Sequence, residues 1–354
     1  MAKMLEINRV IMERIQKSPV ARLPLVHVLN LPDANICEKR KEQVKLQDGT
    51  TRQACLGCVT QEFHGGRRMR QENVIEIISY FAKLHGTGVL TINGRGDPFH
   101  PRLKQMTLDK IMFASSFGIR SYVFTAGQNL DSETCRILAE CGTNVMISLF
   151  GNQFLDAEFF QGRQYSESTP PLQNEAEIAH NLRTLIEAYH TFGVSMPRLI
   201  EDTTRIGMNY VVSESDLKDG GAKLRALKEA AEANGIFFIC NTEFHLDPNS
   251  EKYHTLKALA RENSSFNLEH STADERGQCM VGAGAAVTID YDGTMFRCPY
   301  MNGKGDGHFL EMDDAARENV ISTYLQDVGY ACALRKTPLR GYTEPNKFFR
   351  FGSG

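Results

Sequence analysis

The chain has 354 residues, a formal net charge of −3 at pH 7 and 23% charged residues. This near-balance of charge argues against a protein that binds nucleic acid or an anionic membrane through bulk electrostatics. No apolar run reaches the roughly 20 residues that span a bilayer, and the N-terminus lacks the apolar core of a secretion signal, so we expect a cytoplasmic protein. Nine cysteines, an odd number, in a reducing compartment predict metal ligation rather than disulfides.

The predicted elements alternate between strands and helices up to residue 240. Within residues 1–22, the spacing of apolar residues predicts an amphipathic helix over 3–17. The strands are predicted at 23–29, 88–93, 119–125, 144–149, 206–212 and 235–240, and the helices at 71–85, 103–117, 131–141, 174–192 and 221–234. This alternation predicts βαβ units and a parallel sheet. Six such units suit an α/β fold with a partial (β/α)6 TIM-like barrel over 23–240, whose functional groups lie at the carboxyl ends of the strands.

From residue 241 to 354 the alternation breaks, and we predict a small second domain there. A short helix is expected at 255–261. It is followed by a β-hairpin, with strands at 286–289 and 294–297 around the turn Asp292-Gly293. The hairpin brings Cys279 and Cys298 toward each other.

Three cysteines follow the first strand. Cys55 and Cys58 form a C-x-x-C pair, which places two sulfurs on one turn, and Cys37 lies upstream across the polar segment 38–54. We interpret this segment as a hairpin-like insertion. Iron–sulfur clusters bind thiolates, and three cysteines on a four-iron cluster leave one iron open to a small molecule. The alternative is a structural zinc site with His64 as its fourth ligand.

With the glycine-rich segment Thr91–His100, this pattern resembles the radical S-adenosylmethionine (SAM) superfamily. In that family, three cysteines after the first strand hold a [4Fe–4S] cluster whose open iron binds SAM. The usual spacing is C-x3-C-x2-C, whereas here it is C-x17-C-x2-C. The second gap is kept, and the first is much wider.

The resemblance implies a set of SAM-binding residues. The family's Gly-Gly-Glu-Pro strand end corresponds to Arg95-Gly96-Asp97-Pro98, where backbone groups and the acid would hold the methionine ammonium. The other implied contacts are Thr125 in Thr125-Ala-Gly127, Ser148 at the end of the fourth strand, Arg163, which would pair with the methionine carboxylate, and Asn209 on the fifth strand.

The spacing Cys279-x13-Gly293-x4-Cys298 resembles the opening of the SPASM or Twitch extension of these enzymes. There the hairpin supplies two ligands of an auxiliary [4Fe–4S] cluster, and Cys332 is the third implied ligand here. Two arrangements stay open: a fourth ligand such as Cys240 or a histidine, or an open iron, which we favour. The alternative is that Cys332 is a buried apolar residue and that no metal binds.

The remaining cysteines divide by position. Cys135 and Cys141 lie on one helix and are predicted to pack in the core. Cys240 ends the sixth strand, so we consider it a candidate catalytic residue or ligand.

The resemblance implies reductive cleavage of SAM to a 5′-deoxyadenosyl radical that abstracts hydrogen from a substrate, with a flavodoxin or ferredoxin as electron donor. The second cluster would accept an electron, donate sulfur or bind the substrate. Because only about 22 residues precede the first strand, too few for a leader-peptide-binding domain, we expect a small sugar- or nucleoside-like substrate. Polar groups that could contact it are Asn241, Glu243, His245 and Arg297. The alternatives are a peptide-modifying radical SAM enzyme and a non-catalytic zinc-binding scaffold.

Overall fold

The computed structural model describes residues 26–37, 43–45, 51–53, 67–150, 175–193, 205–212, 214–217, 219–241, 249–262, 286–299, 301 and 304–326. The strands in these ranges are β1 (Val28–Asn30), β2 (Gln43–Lys45), β3 (Thr51–Gln53), β4 (Val89–Ile92), β5 (Arg120–Thr125), β6 (Asn144–Phe150), β7 (Ile206–Val211), β8 (Phe237–Asn241), β9 (Ala286–Ile289) and β10 (Met295–Phe296). The helices are α1 (Gln71–His85), α2 (Lys104–Ser116), α3 (Ser132–Glu140), α4 (Glu175–Thr191), α5 (Ala222–Ala233), α6 (Glu251–Glu262) and α7 (Asp314–Gln326).

Eight of these strands form one sheet in the order β10-β9-β1-β4-β5-β6-β7-β8. Each neighbouring pair from β9 to β8 is parallel, and β10 is antiparallel to β9. The sheet is open, because β8 and β10 form its two edges. The six strands β1 and β4 to β8, with helices between successive strands, confirm the predicted α/β fold of partial TIM-like barrel type.

Helix α1 illustrates how the sequence determines these elements. Its buried residues recur at steps of one, three and four along the helix: Val74, Ile77, Ile78, Phe81 and His85. They form one stripe that packs into the core against the sheet. Gly86 ends the helix with a φ of 60°, a left-handed conformation that glycine adopts without a steric penalty. The observed bounds match the predicted helix over 71–85.

The C-terminal hairpin continues the barrel sheet. Strand β9 pairs in parallel with β1, with Val28 opposite Ala286 and Asn30 opposite Thr288. The sequence predicted the hairpin itself, and its strands are observed at the expected place. Its pairing with β1 was not predicted, and the domain boundary after residue 240 stays a prediction.

Two further predictions concern the segments around the barrel. Strands β2 and β3 pair in antiparallel fashion, with Gln43 opposite Gln53, which confirms the hairpin-like insertion after Cys37. The predicted N-terminal helix over 3–17 lies outside the described residues. Among the helices that the structure describes, none is both long and apolar enough to cross a membrane.

Candidate cofactor-binding site

The carboxyl ends of β1 and β4 are hydrogen-bonded to each other through the segments that follow them. The backbone N–H of Asp97 donates to the carbonyl of Ile36 at 2.7 Å. Ile36 immediately precedes Cys37, which is half-buried. The strand end that the sequence associates with SAM therefore lies beside the first predicted cluster ligand.

Gly96 makes this close approach possible. A Cβ atom at this position would lie 2.5 Å from the backbone N of Ile36 and closer still to the carbonyl oxygens of Ala34 and Ile36. Its φ of +49° is also in the left-handed region, which residues with a side chain rarely adopt. Only glycine therefore lets the loop that carries Cys37 contact the end of β4.

The carboxylate of Asp97 joins the ends of β4 and β5. Its Oδ1 accepts a hydrogen bond from the N–H of Phe99 at 2.9 Å, and its Oδ2 accepts one from the N–H of Ala126 at 2.7 Å. The Thr125 hydroxyl lies 3.0 and 3.2 Å from the same two oxygens and accepts a hydrogen bond from the N–H of Gly127. Asp97 and Thr125 lie at the strand ends to which the sequence assigned them, and their direct contact, which joins the two strand ends, was not predicted.

A buried ion pair supports the loop after β1. Lys110 Nζ lies 2.5 Å from Asp33 Oδ1 and donates to the carbonyl of Leu31 at 2.7 Å, and both charged side chains are 1% exposed. The Thr107 hydroxyl lies 2.5 Å from Asp33 Oδ2 and 2.7 Å from the carbonyl of Pro98. Burial lowers the pKa of Lys110, and the Asp33 carboxylate opposes that effect. The ion pair therefore connects helix α2 to the loop after β1, and Thr107 connects the same helix to the loop after β4.

Sequence reasoning missed this ion pair. The available signal was a lysine on the apolar stripe of α2, where Thr107, Ile111 and Ala114 are also buried. A lysine at such a position requires a partner, because a buried charge without one is costly.

On the other side of the strand end, Arg95 holds the segment around Cys298. Its Nε donates to Asp290 Oδ2 at 2.9 Å, and its two terminal nitrogens donate to the carbonyls of Pro299 at 2.5 Å and Met301 at 2.7 Å. Burial raises the pKa of Asp290, and the Arg95 guanidinium opposes that effect. Residues 94–97 therefore contact both the Cys37 loop and the Cys298 segment.

Ser148 and Asn209 face each other across β6 and β7. They are register partners and both are half-buried. Their neighbours Ile147 and Met208 belong to the core under the helices, so Ser148 and Asn209 lie on the opposite, interior face of the sheet. This is the face on which the predicted SAM contacts belong, and their role stays a prediction.

A row of polar residues crosses the same interior face. Its members are successive register partners on five strands: Thr288, Asn30, Thr91, Tyr122 and Asn144. The Thr91 hydroxyl donates to Asn30 Oδ1 at 2.8 Å. The Thr288 hydroxyl is buried and has no hydrogen-bond partner among the described residues. The interior therefore offers polar groups to a ligand.

The surroundings of Cys240 do not support its candidate catalytic role. Cys240 is 0% exposed and is the register partner of Tyr210 on the helix-covered face, whereas Ser148 lies on the interior face. Burial, and then the nearby Asp216 carboxylate, raise the pKa of its thiol well above the usual value. A nucleophile or metal ligand needs a thiolate, and this site disfavours one.

The structure also describes Cys135, Cys141 and Arg297, for which the sequence predicted a role. Cys135 is buried in the core and Cys141 packs against it, which confirms their packing role. Arg297 was a candidate substrate contact, but its guanidinium lies 5.0 Å from the ring centroid of Tyr324 and donates to the carbonyl of Thr323 on α7.

Several predicted site residues lie outside the described part of the structure. They are Cys55, Cys58, His64, Arg163, Glu243, His245, Cys279, Cys332 and the side chain of Asn241. Within the described residues, no group of three or more His, Cys, Asp or Glu side chains is arranged to hold a metal ion.

The described residues fit a cluster and SAM at this edge of the sheet. Thiols such as that of Cys37 are soft ligands that suit iron. Gly96 lets the backbone at the end of β4 approach the loop that carries Cys37, and the half-buried Ser148 and Asn209 present a hydroxyl and an amide on the interior face. The described part of the site therefore combines a thiol with backbone groups, a hydroxyl and an amide, which are groups of the kinds that suit a metal and a polar cofactor.

Comparisons with solved structures identify the fold. The chain has the fold of radical SAM enzymes. This fold is shared with anSMEcpe, whose structure contains bound AdoMet and the Cp18Cys peptide. The two structures match at a TM-score of 0.50 and 11% sequence identity, over 86% of this chain and 84% of that chain. Streptococcus suis SuiB bound to S-adenosylmethionine matches at a TM-score of 0.49 and 15% identity, over 90% of this chain and 69% of that one. No protein-family model and no curated protein sequence matches the chain.

Proposed function

We propose that the chain is a radical SAM enzyme that cleaves SAM reductively and abstracts hydrogen from its substrate. The observation that carries the proposal is the hydrogen bond from the N–H of Asp97 to the carbonyl of Ile36. This contact puts the glycine-rich end of β4 beside Cys37 in a fold of the radical SAM class.

The protein's own residues would bind and orient the cofactor. Cys37, Cys55 and Cys58 would hold a [4Fe–4S] cluster, which together with SAM would supply the 5′-deoxyadenosyl radical when bound. The Asp97 carboxylate already accepts three protein donors, so backbone carbonyls of the strand end take the larger share in binding the methionine ammonium. Ser148, Asn209 and Arg163 bind the remaining polar groups of SAM.

A second [4Fe–4S] cluster on Cys279, Cys298 and Cys332 completes the proposal. These three cysteines would hold the cluster and leave one iron for a substrate atom or a sulfide, and the bound cluster would supply an electron acceptor for oxidation or sulfur for insertion. A flavodoxin or ferredoxin supplies the electron. We expect the enzyme to act in the cytoplasm, because such clusters and nine cysteines suit a reducing compartment.

For the substrate, we propose a small sugar- or nucleoside-like molecule. The interior row that includes Asn30, Thr91 and Thr288 supplies hydroxyl and amide groups that match a hydroxylated ligand. Thr288 contributes a buried hydroxyl whose hydrogen-bonding capacity a ligand would satisfy.

A second candidate function is peptide modification. It is supported by the fold match to anSMEcpe, whose structure holds a peptide together with AdoMet. The two candidates differ in the substrate that turns over: hydrogen abstraction from a peptide side chain, with no reaction of sugars or nucleosides, would favour the second.

Anaerobic reconstitution tests the proposal directly. We expect about eight irons per chain, as two four-iron clusters require. SAM and dithionite should then yield 5′-deoxyadenosine, and Cys58→Ala should abolish it. One or two zincs without iron would favour the zinc-binding scaffold, and failure to form 5′-deoxyadenosine with any substrate class would exclude the radical mechanism.

A further inference from the structure

The strand end that matches the family's Gly-Gly-Glu-Pro carries a large cation in place of a glycine. Arg95 is 5% exposed, and Asp290, at the start of the hairpin turn, is 6% exposed. Two of the guanidinium nitrogens, Nε and one terminal nitrogen, each lie 2.9 Å from the same oxygen of Asp290. An ion pair this deeply buried is stable only when its remaining hydrogen-bonding groups are also satisfied.

The backbone around Cys298 satisfies them. The carbonyl of Pro299 accepts from one terminal nitrogen of Arg95 and the carbonyl of Met301 from the other. The second oxygen of Asp290 accepts from the N–H of Tyr291 at 2.9 Å. The guanidinium therefore connects the hairpin turn to the segment after the hairpin, and Cys298 lies between these two attachments.

The neighbouring glycine brings the two segments together. A Cβ atom on Gly94 would lie 2.8 Å from Pro299 Cβ and 2.9 Å from its carbonyl oxygen. The end of β4 therefore packs directly on the residue that follows Cys298. On its other side, the same strand end contacts Ile36, next to Cys37.

We propose that Arg95, paired with Asp290, is a positioning residue that fixes Cys298 relative to the SAM-binding strand end. Under the proposed function, Arg95 keeps Cys298, a ligand of the second cluster, at a constant distance from the first cluster. This inference rests on the proposed function for its purpose, but the fixed geometry exists in the metal-free chain. A lysine cannot replace the arginine, because an ammonium lacks the planar fork that reaches a carboxylate and two carbonyls at once.

The test measures thiol reactivity in metal-free protein. Native protein is treated with iodoacetamide at pH 8, and alkylation of each cysteine is followed by peptide mass spectrometry. For Arg95→Lys we expect Cys298 to react at least about tenfold faster than in the wild type, because hydrogen bonds to a charged group that restrain its segment are lost. Cys37 should change by less than about twofold, because its loop is held by Asp33 and Ile36 instead.

Arg317→Lys is the matched control. Arg317 also donates from a largely buried guanidinium to a backbone carbonyl, that of Phe309, in the same part of the chain. It should leave the rate at Cys298 unchanged. Equal rates at Cys298 in Arg95→Lys and the wild type, or equal acceleration by Arg317→Lys, would overturn the proposal.

Asp290→Asn is an independent test if Arg95→Lys does not fold, because asparagine keeps a hydrogen-bond acceptor in a side chain of the same size. We expect the same selective acceleration at Cys298, and its absence would also overturn the proposal. After reconstitution, Arg95→Lys should retain the first cluster and lose about half of the iron. A wild type that binds no iron would refute the proposed function while leaving the alkylation result intact, so the two failures are distinguishable.

Discussion

Gln43 and Gln53 are register partners at the open end of the β2–β3 hairpin, so the two ends of this paired segment lie side by side. Cys37 precedes Gln43 by six residues, and Cys55 follows Gln53 by two. The wide C-x17-C spacing therefore includes a hairpin whose two ends lie side by side. Because such a hairpin lengthens the sequence without adding distance between its own ends, the departure from the family spacing is compatible with a three-cysteine site.

Replacing Gly96 with alanine tests the contact beside Cys37. We expect Gly96→Ala to lower the free energy of unfolding by more than about 2 kcal/mol, because the new Cβ meets the backbone of Ala34 and Ile36 at a strained φ. Gly193→Ala is the control: its φ is +57°, but a Cβ there meets nothing within 4 Å. It should cost only about 1 kcal/mol in urea denaturation. Equal losses in the two variants would show that the Cys37 loop does not depend on Gly96.

Asp97→Asn tests the joint between β4 and β5. The amide cannot present acceptors to Phe99, Thr125 and Ala126 at once, so we expect a loss of about 1–3 kcal/mol in unfolding free energy. SAM affinity should fall with it, because the strand end loses its fixed position. Thr125→Val removes only one of these contacts and should cost less. A larger loss of unfolding free energy for Thr125→Val than for Asp97→Asn would show that the Asp97 carboxylate is not the main contact between the ends of β4 and β5.

Lys110→Met tests the buried ion pair. The substitution leaves Asp33 charged and buried without its partner, and we expect a loss of about 3–5 kcal/mol in chemical denaturation. The double variant Lys110→Met with Asp33→Leu should recover much of that loss, because neither charge then remains. If the double variant were as unstable as the single one, the cost would come from lost packing of the lysine rather than from the stranded carboxylate.

Ser148→Ala tests the interior face. In reconstituted protein we expect SAM to bind about tenfold more weakly, which corresponds to about 1.4 kcal/mol, as measured by anaerobic calorimetry. The melting temperature should change little, because Ser148 is half-buried and outside the main core. Ser116→Ala, at the end of α2 on the exposed surface, is the control and should leave SAM binding unchanged. Unaltered affinity in Ser148→Ala would remove this residue from the SAM site.

Cys135 gives a prediction about pH. Burial, with a smaller contribution from Asp131, raises the pKa of its thiol from 9.0 to about 12. The folded-state pKa lies above the unfolded one, so the unfolded chain loses this proton first, and stability should fall as pH rises from about 9 toward about 12. Cys135→Ala should show a shallower decline in denaturation experiments across that range. Identical slopes for the two proteins would mean that the thiol ionises in the folded state as readily as in the unfolded one.

The sequence was most informative where short-range patterns decide the structure. The bounds of α1 followed from the spacing of residues such as Val74, Ile77 and Phe81, and those of β9 from the Asp292-Gly293 turn signal. It was least informative where a side chain finds a partner far along the chain. Arg95 and Asp290 are 195 positions apart, and nothing local in either segment indicates the other.

Cys240 shows a different limit of prediction from sequence, which concerns the face of a strand on which a residue lies. Its place near the end of a strand was predicted well, but a strand alternates between two faces, so a shift of one residue decides between the cavity and the core. The register with Tyr210 placed it in the core. Periodicity located the strand, and only the pairing with its neighbour determined which side each residue faces.

The pairing of β9 with β1 has a consequence for how the protein folds. Strand β1 has only three residues and lies between β4 and β9, so one of its two hydrogen-bonding edges stays open until residues 286–289 are available. Contacts between segments this distant form slowly, because a long loop must close first. The loop that carries Cys37 extends from this strand. During synthesis, the strand that supports the Cys37 loop is therefore complete only after the hairpin has been made, and under the proposed function metal loading should follow that late step.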